Sequence, residues 1–261
     1  MKRSENQYGQ RTYERRGEKL WSATTIISGG VPSQRWLVPW AKKYTAEYAV
    51  DHLGALTELV KVDRQGAVDW LKGAAYRERD RAADIGTAVH AAIEAYIVGK
   101  PMPKPAPPVA GRVTAFHQFL TDHQPEYLAS EAPVFNLTQK YAGTLDGIVT
   151  LNSSTTLGGR TFVLDAKAGT AVYPEVALQL AAYSRAELIG LPDGSETPML
   201  PVDGGCALHL TDTGYSLIEV DIGEPVWRAF LYAREVFRWC ESLSKEVLLP
   251  EMRPIPQEVS A

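Results

Sequence analysis

The sequence predicts an α/β protein in which a mixed central sheet is flanked by helices and preceded by a helical N-terminal region. Three observations carry this reading. The segment from Arg64 to Val98 has a helical pattern. Three strand candidates come next in succession, YLASEAPVFNL, YAGTLDGIVTL and RTFVLDAKAG. A buried helix, two more strands and a closing helix complete the order. With 261 residues, 45% hydrophobic and 22% charged, the chain can bury one large core, so one elaborated globular domain is expected.

Taken in order, residues 1–18 are rich in Arg, Glu and Gln and read as a flexible basic arm. Residues 19–100 form the helical region. Within it WSATTIIS is stopped by Gly29, Gly30 and Pro32, and Pro39 marks where the next helix begins. Trp40, Tyr44 and Tyr48 recur at i, i+4 beside Lys42 and Lys43; such a stripe can stack on bases, but at helical spacing it reads first as core. Arg64 to Val98 is expected as two helices, the second, DIGTAVHAAIEAYIVG, capped by Asp84.

The sheet-bearing core is assigned to 101–261. It opens on a Pro-rich link, PMPKPAPP, and a helix from Ala110 to His123. The loop LNSSTTLGG has the composition of a hairpin turn between the second and third strands. In PEVALQLAAYSRAELIG, Pro174 takes the first helical position and Gly190 the end; this helix is apolar on nearly every face and is expected against the sheet. CALHL and YSLIEVD are strands joined by the turn signal DTG, and a long helix starts near Glu224.

No apolar run approaches the roughly 18 residues that suggest a membrane span, and the polar start lacks the apolar core of a secretory signal, so a cytoplasmic protein without a membrane partner is expected. Cys206 and Cys240 are too far apart for a thiolate metal cluster. The net charge is -4, unevenly spread: residues 1–100 hold 16 basic and 12 acidic side chains, the remainder 11 and 19. That suits phosphate contacts in the first part and a carboxylate metal site in the second; an uneven solvated surface gives the same counts.

The chemistry centres on TFVLDAKAGT. Side chains two apart on a strand share a face, so Asp165 and Lys167 project together from its end. A strand-end ion pair is the plain alternative. Asp146, flanked by apolar residues and followed by Gly147, meets Asp165 at one edge if the two strands form a hairpin. Two buried carboxylates repel unless a cation lies between them, which points to Mg²⁺ or Mn²⁺. Gly86, His90 and Glu94 are four apart on one helix face, and Gly86 leaves room for close approach. Glu131, in the first strand, is a further acidic candidate. Gln179 and Tyr183 are polar at i, i+4 on an apolar helix, and buried polar groups need partners.

GTAVHAAIE, SEAPV, AGTLDGIV, VLDAKAG and LQLAAY, in this order and approximate spacing, resemble the PD-(D/E)xK nucleases of the RecB-like group, which includes RecB-type nuclease domains, CRISPR-associated exonucleases and many bacteriophage exonucleases. The match runs from Gly86 to Tyr183. The resemblance implies a restriction-endonuclease-like core and a metal-dependent deoxyribonuclease, above all an exonuclease of phage or bacterial DNA recombination or processing. It implies that His90, Asp146, Asp165 and the Ala166 carbonyl bind Mg²⁺ or Mn²⁺, and that Lys167 polarises the attacking water. Glu131 matches an acidic position of the first strand, and Gln179 and Tyr183 match the Q-x-x-x-Y motif that supports the site and its DNA. The implied partners are DNA and a single-strand annealing or recombination protein, in the host cytoplasm if the chain is phage-encoded. CRISPR-associated members hold an iron–sulfur cluster on four cysteines; with two, no cluster is expected. The rival readings are a non-catalytic DNA-binding or assembly protein of the same fold, and a metal-free scaffold. Exonuclease and endonuclease action, polarity, strandedness and oligomeric state stay open.

Overall fold

A computed structural model describes residues 2–7, 9–32, 34–101, 105–152, 158–249 and 251. It is a mixed α/β structure built on one curled ten-stranded sheet with helices on both faces. The expected flexible arm is corrected. Strands β1 (Lys2–Glu5), β2 (Arg11–Arg15) and β3 (Glu18–Ser22) form an antiparallel meander at one sheet edge. Its charged side chains mask a short apolar anchor: Tyr13 and Leu20 are buried against Phe135 and Ala142.

Helix α1 (Ala23–Gly30) starts at Ser22, whose hydroxyl accepts from the Thr25 amide at 3.0 Å. Then come α2 (Gln34–Asp51), α3 (Leu53–Val62), α4 (Arg64–Lys72) and α5 (Ala74–Ile97). Pro39 lies inside α2 rather than at its start, as its sixth residue, where it leaves the carbonyl four residues earlier without its intrahelical donor. The break between the two helices expected over 64–98 falls at Gly73, and Asp84 caps nothing, because α5 runs unbroken through it. Trp40, Tyr44 and Tyr48 are not core. They stack ring on ring along α2, with centroids 5.7 and 6.2 Å apart, and stay partly exposed.

Helix α6 (Pro107–His123) leads into β4 (Glu126–Asn136), β5 (Tyr141–Thr150) and β6 (Thr161–Lys167), the three strands expected. Parts of the Pro-rich link (102–104) and of the hairpin loop (153–157) lie outside the described residues. Helix α7 (Glu175–Ser184) ends earlier than expected. The apolar run after it, Leu188–Gly190, is strand β7, paired with β4 and with β8 (Glu196–Pro198). Short apolar runs do not distinguish helix from strand, and here sheet pairing decided. Strands β9 (Gly204–Leu210) and β10 (Tyr215–Val220) and helix α8 (Glu224–Glu241) close the order.

Strand β5 organises the sheet. One edge pairs with β4 from end to end. The other is shared: β3 runs parallel at Tyr141 and Ala142, and β6 antiparallel from Gly147 to Thr150. Between them lies a fork at residues 143–146. Strand β9 continues the sheet parallel to β6, and β10 pairs with β9. One core cluster packs α1, α7 and α8 on Tyr141, Leu145, Ile148 and Val163; the other packs α5 and α6 on Val149, Phe162, Leu164 and Ala166. No helix among the described residues is long and apolar enough to cross a membrane.

Candidate metal centre

The fork in the sheet gathers the charged groups. Gly147 and Leu164 are the last paired residues of β5 and β6. Beyond them the ladder is replaced by a side chain: Asp146 Oδ2 accepts from the Ala166 amide at 2.7 Å. The expected meeting of Asp146 and Asp165 in a hairpin therefore holds in register, with a gap between the backbones. The alternation of β5 also breaks here. Leu145 and Ile148 are three apart yet lie in the same core cluster, where a regular strand would put them on opposite faces.

Glu131 stands across from this break, between the pairs Ser130–Gly147 and Ala132–Leu145. Its φ is 45°, a left-handed conformation in mid-strand that costs a non-glycine residue roughly 1–2 kcal/mol. The strained backbone turns the carboxylate toward α5. There His90 Nδ1 lies 3.6 Å from Glu131 Oε1 and 3.7 Å from Asp146 Oδ1. His90 Nε2 is 3.1 Å from the Ala166 carbonyl, which can only accept, so that nitrogen carries the proton and Nδ1 faces the two carboxylates. His90, Glu131 and Asp146 offer ligand atoms all within 4.8 Å of one another.

Asp165 and Lys167 occupy the α7 side of the fork. Asp165 is buried, and its Oδ1 accepts from Gln179 Nε2 at 2.6 Å. Lys167 Nζ is 2.7 Å from Asp165 Oδ2, close enough for an ion pair but not aligned as a hydrogen bond, so this buried oxygen has no hydrogen-bond donor among the described residues. Tyr183, one turn beyond Gln179, is buried with its ring against Gly143, where a Cβ would stand 2.3 Å from the ring. Burial holds its phenol well above the ordinary range, with the Tyr13 hydroxyl and the Asp146 and Asp165 carboxylates adding to it.

The electrostatics record an excess of acid. Burial would lower the His90 pKa, but Glu131, Asp146 and Asp165 outweigh it and raise it to about 9. Asp146 is raised to about 7, first by burial and then by Asp165, against the opposing pull of His90 and the Ala166 amide. Three carboxylates converging on a histidine, with one buried oxygen left without a donor, fit a divalent cation bound by oxygen and imidazole.

Of the residues expected from sequence, the fork brings together His90, Glu131, Asp146, Asp165, Ala166, Lys167 and Gln179. Tyr183 lies behind them. Glu94, one turn beyond His90, is exposed and outside the cluster. Among the described residues, nothing beyond its own stretch of helix backbone lies within 4 Å of the Cβ position at Gly86, so the space expected there is open. Sequence reasoning missed two tyrosines. Tyr13 of the N-terminal meander hydrogen-bonds Thr144 at 2.8 Å, two residues from Asp146. Tyr127 covers Gly147 and buries a hydroxyl with no hydrogen-bond partner among the described residues. Neither carries a sequence signal beyond being an aromatic in a strand. Comparison with models of protein families and with curated proteins gives no match.

Proposed function

We propose that the protein is a divalent-metal-dependent deoxyribonuclease of the PD-(D/E)xK type, built on a restriction-endonuclease-like core and acting as a DNA exonuclease in recombination or processing. The observation that carries this is the convergence, at one fork of the sheet, of the residues that the resemblance implies, although they come from α5, β4, β5, β6 and α7. A structural ion pair between Asp165 and Lys167 would require none of the others nearby.

His90, Glu131 and Asp146, with Asp165 and the Ala166 carbonyl adjoining, would hold Mg²⁺ or Mn²⁺. When bound, such a cation supplies charge neutralisation at the scissile phosphate and a lower pKa for water. The chain supplies the rest. Gln179 fixes the Asp165 carboxylate through Oδ1 and leaves Oδ2 toward Lys167. Lys167, half-exposed, presents its ammonium at the mouth of the fork, where it would orient the attacking water and steady developing negative charge. The acidic cluster repels phosphate until its charge is met, so DNA binding as well as cleavage depends on the metal.

The test is digestion of end-labelled linear and closed circular DNA with Mg²⁺, Mn²⁺ or EDTA, comparing wild type with Asp165→Ala and Lys167→Ala. Metal-dependent loss of linear DNA alone, abolished by both substitutions, is the expected result. Cutting of the circle would make the enzyme an endonuclease. A folded protein that cleaves nothing in any metal would overturn the catalytic reading and leave a DNA-binding or assembly role.

A further inference from the structure

The backbone leaving β6 after Lys167 is held by side chains from two other elements. Arg112 of α6 donates from Nε to the Ala168 carbonyl at 2.9 Å. His209 of β9, level with Lys167 in the parallel ladder, donates from Nε2 to the Gly169 carbonyl at 2.9 Å. Arg112 is itself fixed. Its Nη1 donates to the Pro108 carbonyl at 2.9 Å and lies 2.5 Å from Asp212 Oδ1 in the turn between β9 and β10. Helix α6 comes this close to the turn because residue 111 is glycine: a Cβ there would lie 2.7 Å from both the Cα and the carbonyl oxygen of Asp212.

Packing alone does not call for this arrangement. Val109, Val113, Phe116 and Phe119 already anchor α6 in the core, yet an arginine whose side chain is only 15% exposed is turned onto two carbonyls and a carboxylate. A planar fork with five donors suits the task, because it can bind several acceptors at once and hold their relative positions. The effect on Lys167 is mechanical. Its long flexible stem lets its own contacts fix the ammonium only weakly, so the place where its backbone stops decides where Nζ can reach.

We propose that Arg112, braced by Asp212, is a positioning residue for Lys167: it fixes the exit of β6 and thereby the seat of the ammonium beside Asp165. The positioning role rests on the proposed nuclease function; the clamp on the backbone does not.

The experiment uses the full chain as wild type, Arg112→Gln, Arg112→Lys and Gly111→Ala, with two readouts. Hydrogen exchange by mass spectrometry in EDTA tracks residues 164–169, the end of β6 whose ladder amides the clamp would keep from fraying, and steady-state cleavage of end-labelled DNA in Mg²⁺ gives kcat and KM. Arg112→Gln should speed exchange in that segment and lower kcat about 10- to 100-fold, the scale of a misplacement near 1 Å, with KM unchanged. Arg112→Lys keeps the charge and should restore part of kcat; Gly111→Ala pushes α6 off the turn and should reproduce the loss. Faster exchange with unchanged kcat would overturn the positioning role, as would a loss confined to KM or to thermal stability. Unchanged exchange would overturn the clamp. Wild type that cleaves no DNA would overturn the nuclease reading and the positioning role with it, and exchange alone would then decide whether the clamp exists.

Discussion

Replacing Gly143 by alanine tests how tightly α7 is seated on the fork. The new Cβ would stand 2.3 Å from Tyr183 Cε1, 3.0 Å from Cζ and 3.2 Å from Cδ1. Carbon contacts are comfortable only from about 3.5 Å, so the ring must retreat by roughly 1 Å. Tyr183 is 3% exposed and has nowhere to go without moving α7. Overpacking of this kind costs about 1–3 kcal/mol. Relief of glycine's backbone entropy returns about 0.5–1 kcal/mol. The central values, about 2 and about 0.75 kcal/mol, leave a net loss of about 1 kcal/mol, which should lower Tm by about 2–4 °C in a protein of this size. Cleavage at 25 °C should fall further than the folded fraction does, because Gln179, one turn from Tyr183, holds Asp165 at 2.6 Å. Gly86→Ala is the matched control: its Cβ meets open space, so helix propensity should stabilise the protein by about 1 kcal/mol. Thermal unfolding monitored by circular dichroism reads both. If Gly143→Ala melts at or above wild type, the close approach of α7 to β5 is wrong, and so is the packing argument for Tyr183.

Stability in EDTA should fall as pH rises. His90, raised from 6.5 to about 9, gives stability that is complete below pH 6.5 and lost as pH climbs through 9. Asp146, raised from 3.8 to about 7, acts in the same direction between those values. Melting curves of His90→Gln should flatten above pH 6.5, and equal slopes for variant and wild type would refute the assignment. Ellman's reagent at pH 8 should find one thiol in the native protein and two in guanidinium: Cys240 is exposed, while burial, then Asp165 and Glu219, push the Cys206 thiol up to about 12. Tyr13→Phe should cost about 1 kcal/mol in urea unfolding through loss of its bond to Thr144, and no change would place the N-terminal meander outside the site's support.

Much of the fork was legible because strands advertise themselves by alternation. TFVLDAK could only put Asp165 and Lys167 on one face, whereas Asp146, expected to be buried between its apolar neighbours, is half-buried at the fork. His90 is different. Its helix signals a shared face for Gly86, His90 and Glu94 but not which sheet it covers, so only the order of motifs brought it to Asp146. Glu131 was visible as an acid and invisible as a strained one, since no residue pattern encodes a left-handed glutamate in mid-strand. Arg112 was unreadable for another reason: its partners are backbone carbonyls, which every residue carries. The N-terminal strands were misread because Arg, Glu and Lys dominate them, and a strand at a sheet edge needs only a few apolar side chains to hold it.

The Asp146 side chain stands where a rung of the β5–β6 ladder is missing, and this has a consequence for how the chain can change over time. An alanine there would remove a carboxylate and also strand the Ala166 amide in the interior, at a cost of about 1–3 kcal/mol. Drift from Asp146 to an apolar residue therefore meets resistance even in a lineage that no longer uses the site, because the Ala166 amide would be left unpaired. Selection for a folded chain guards an oxygen acceptor at this position, which an asparagine would also supply, while the charge itself, opposed by burial and by Asp165, is guarded only by what it binds.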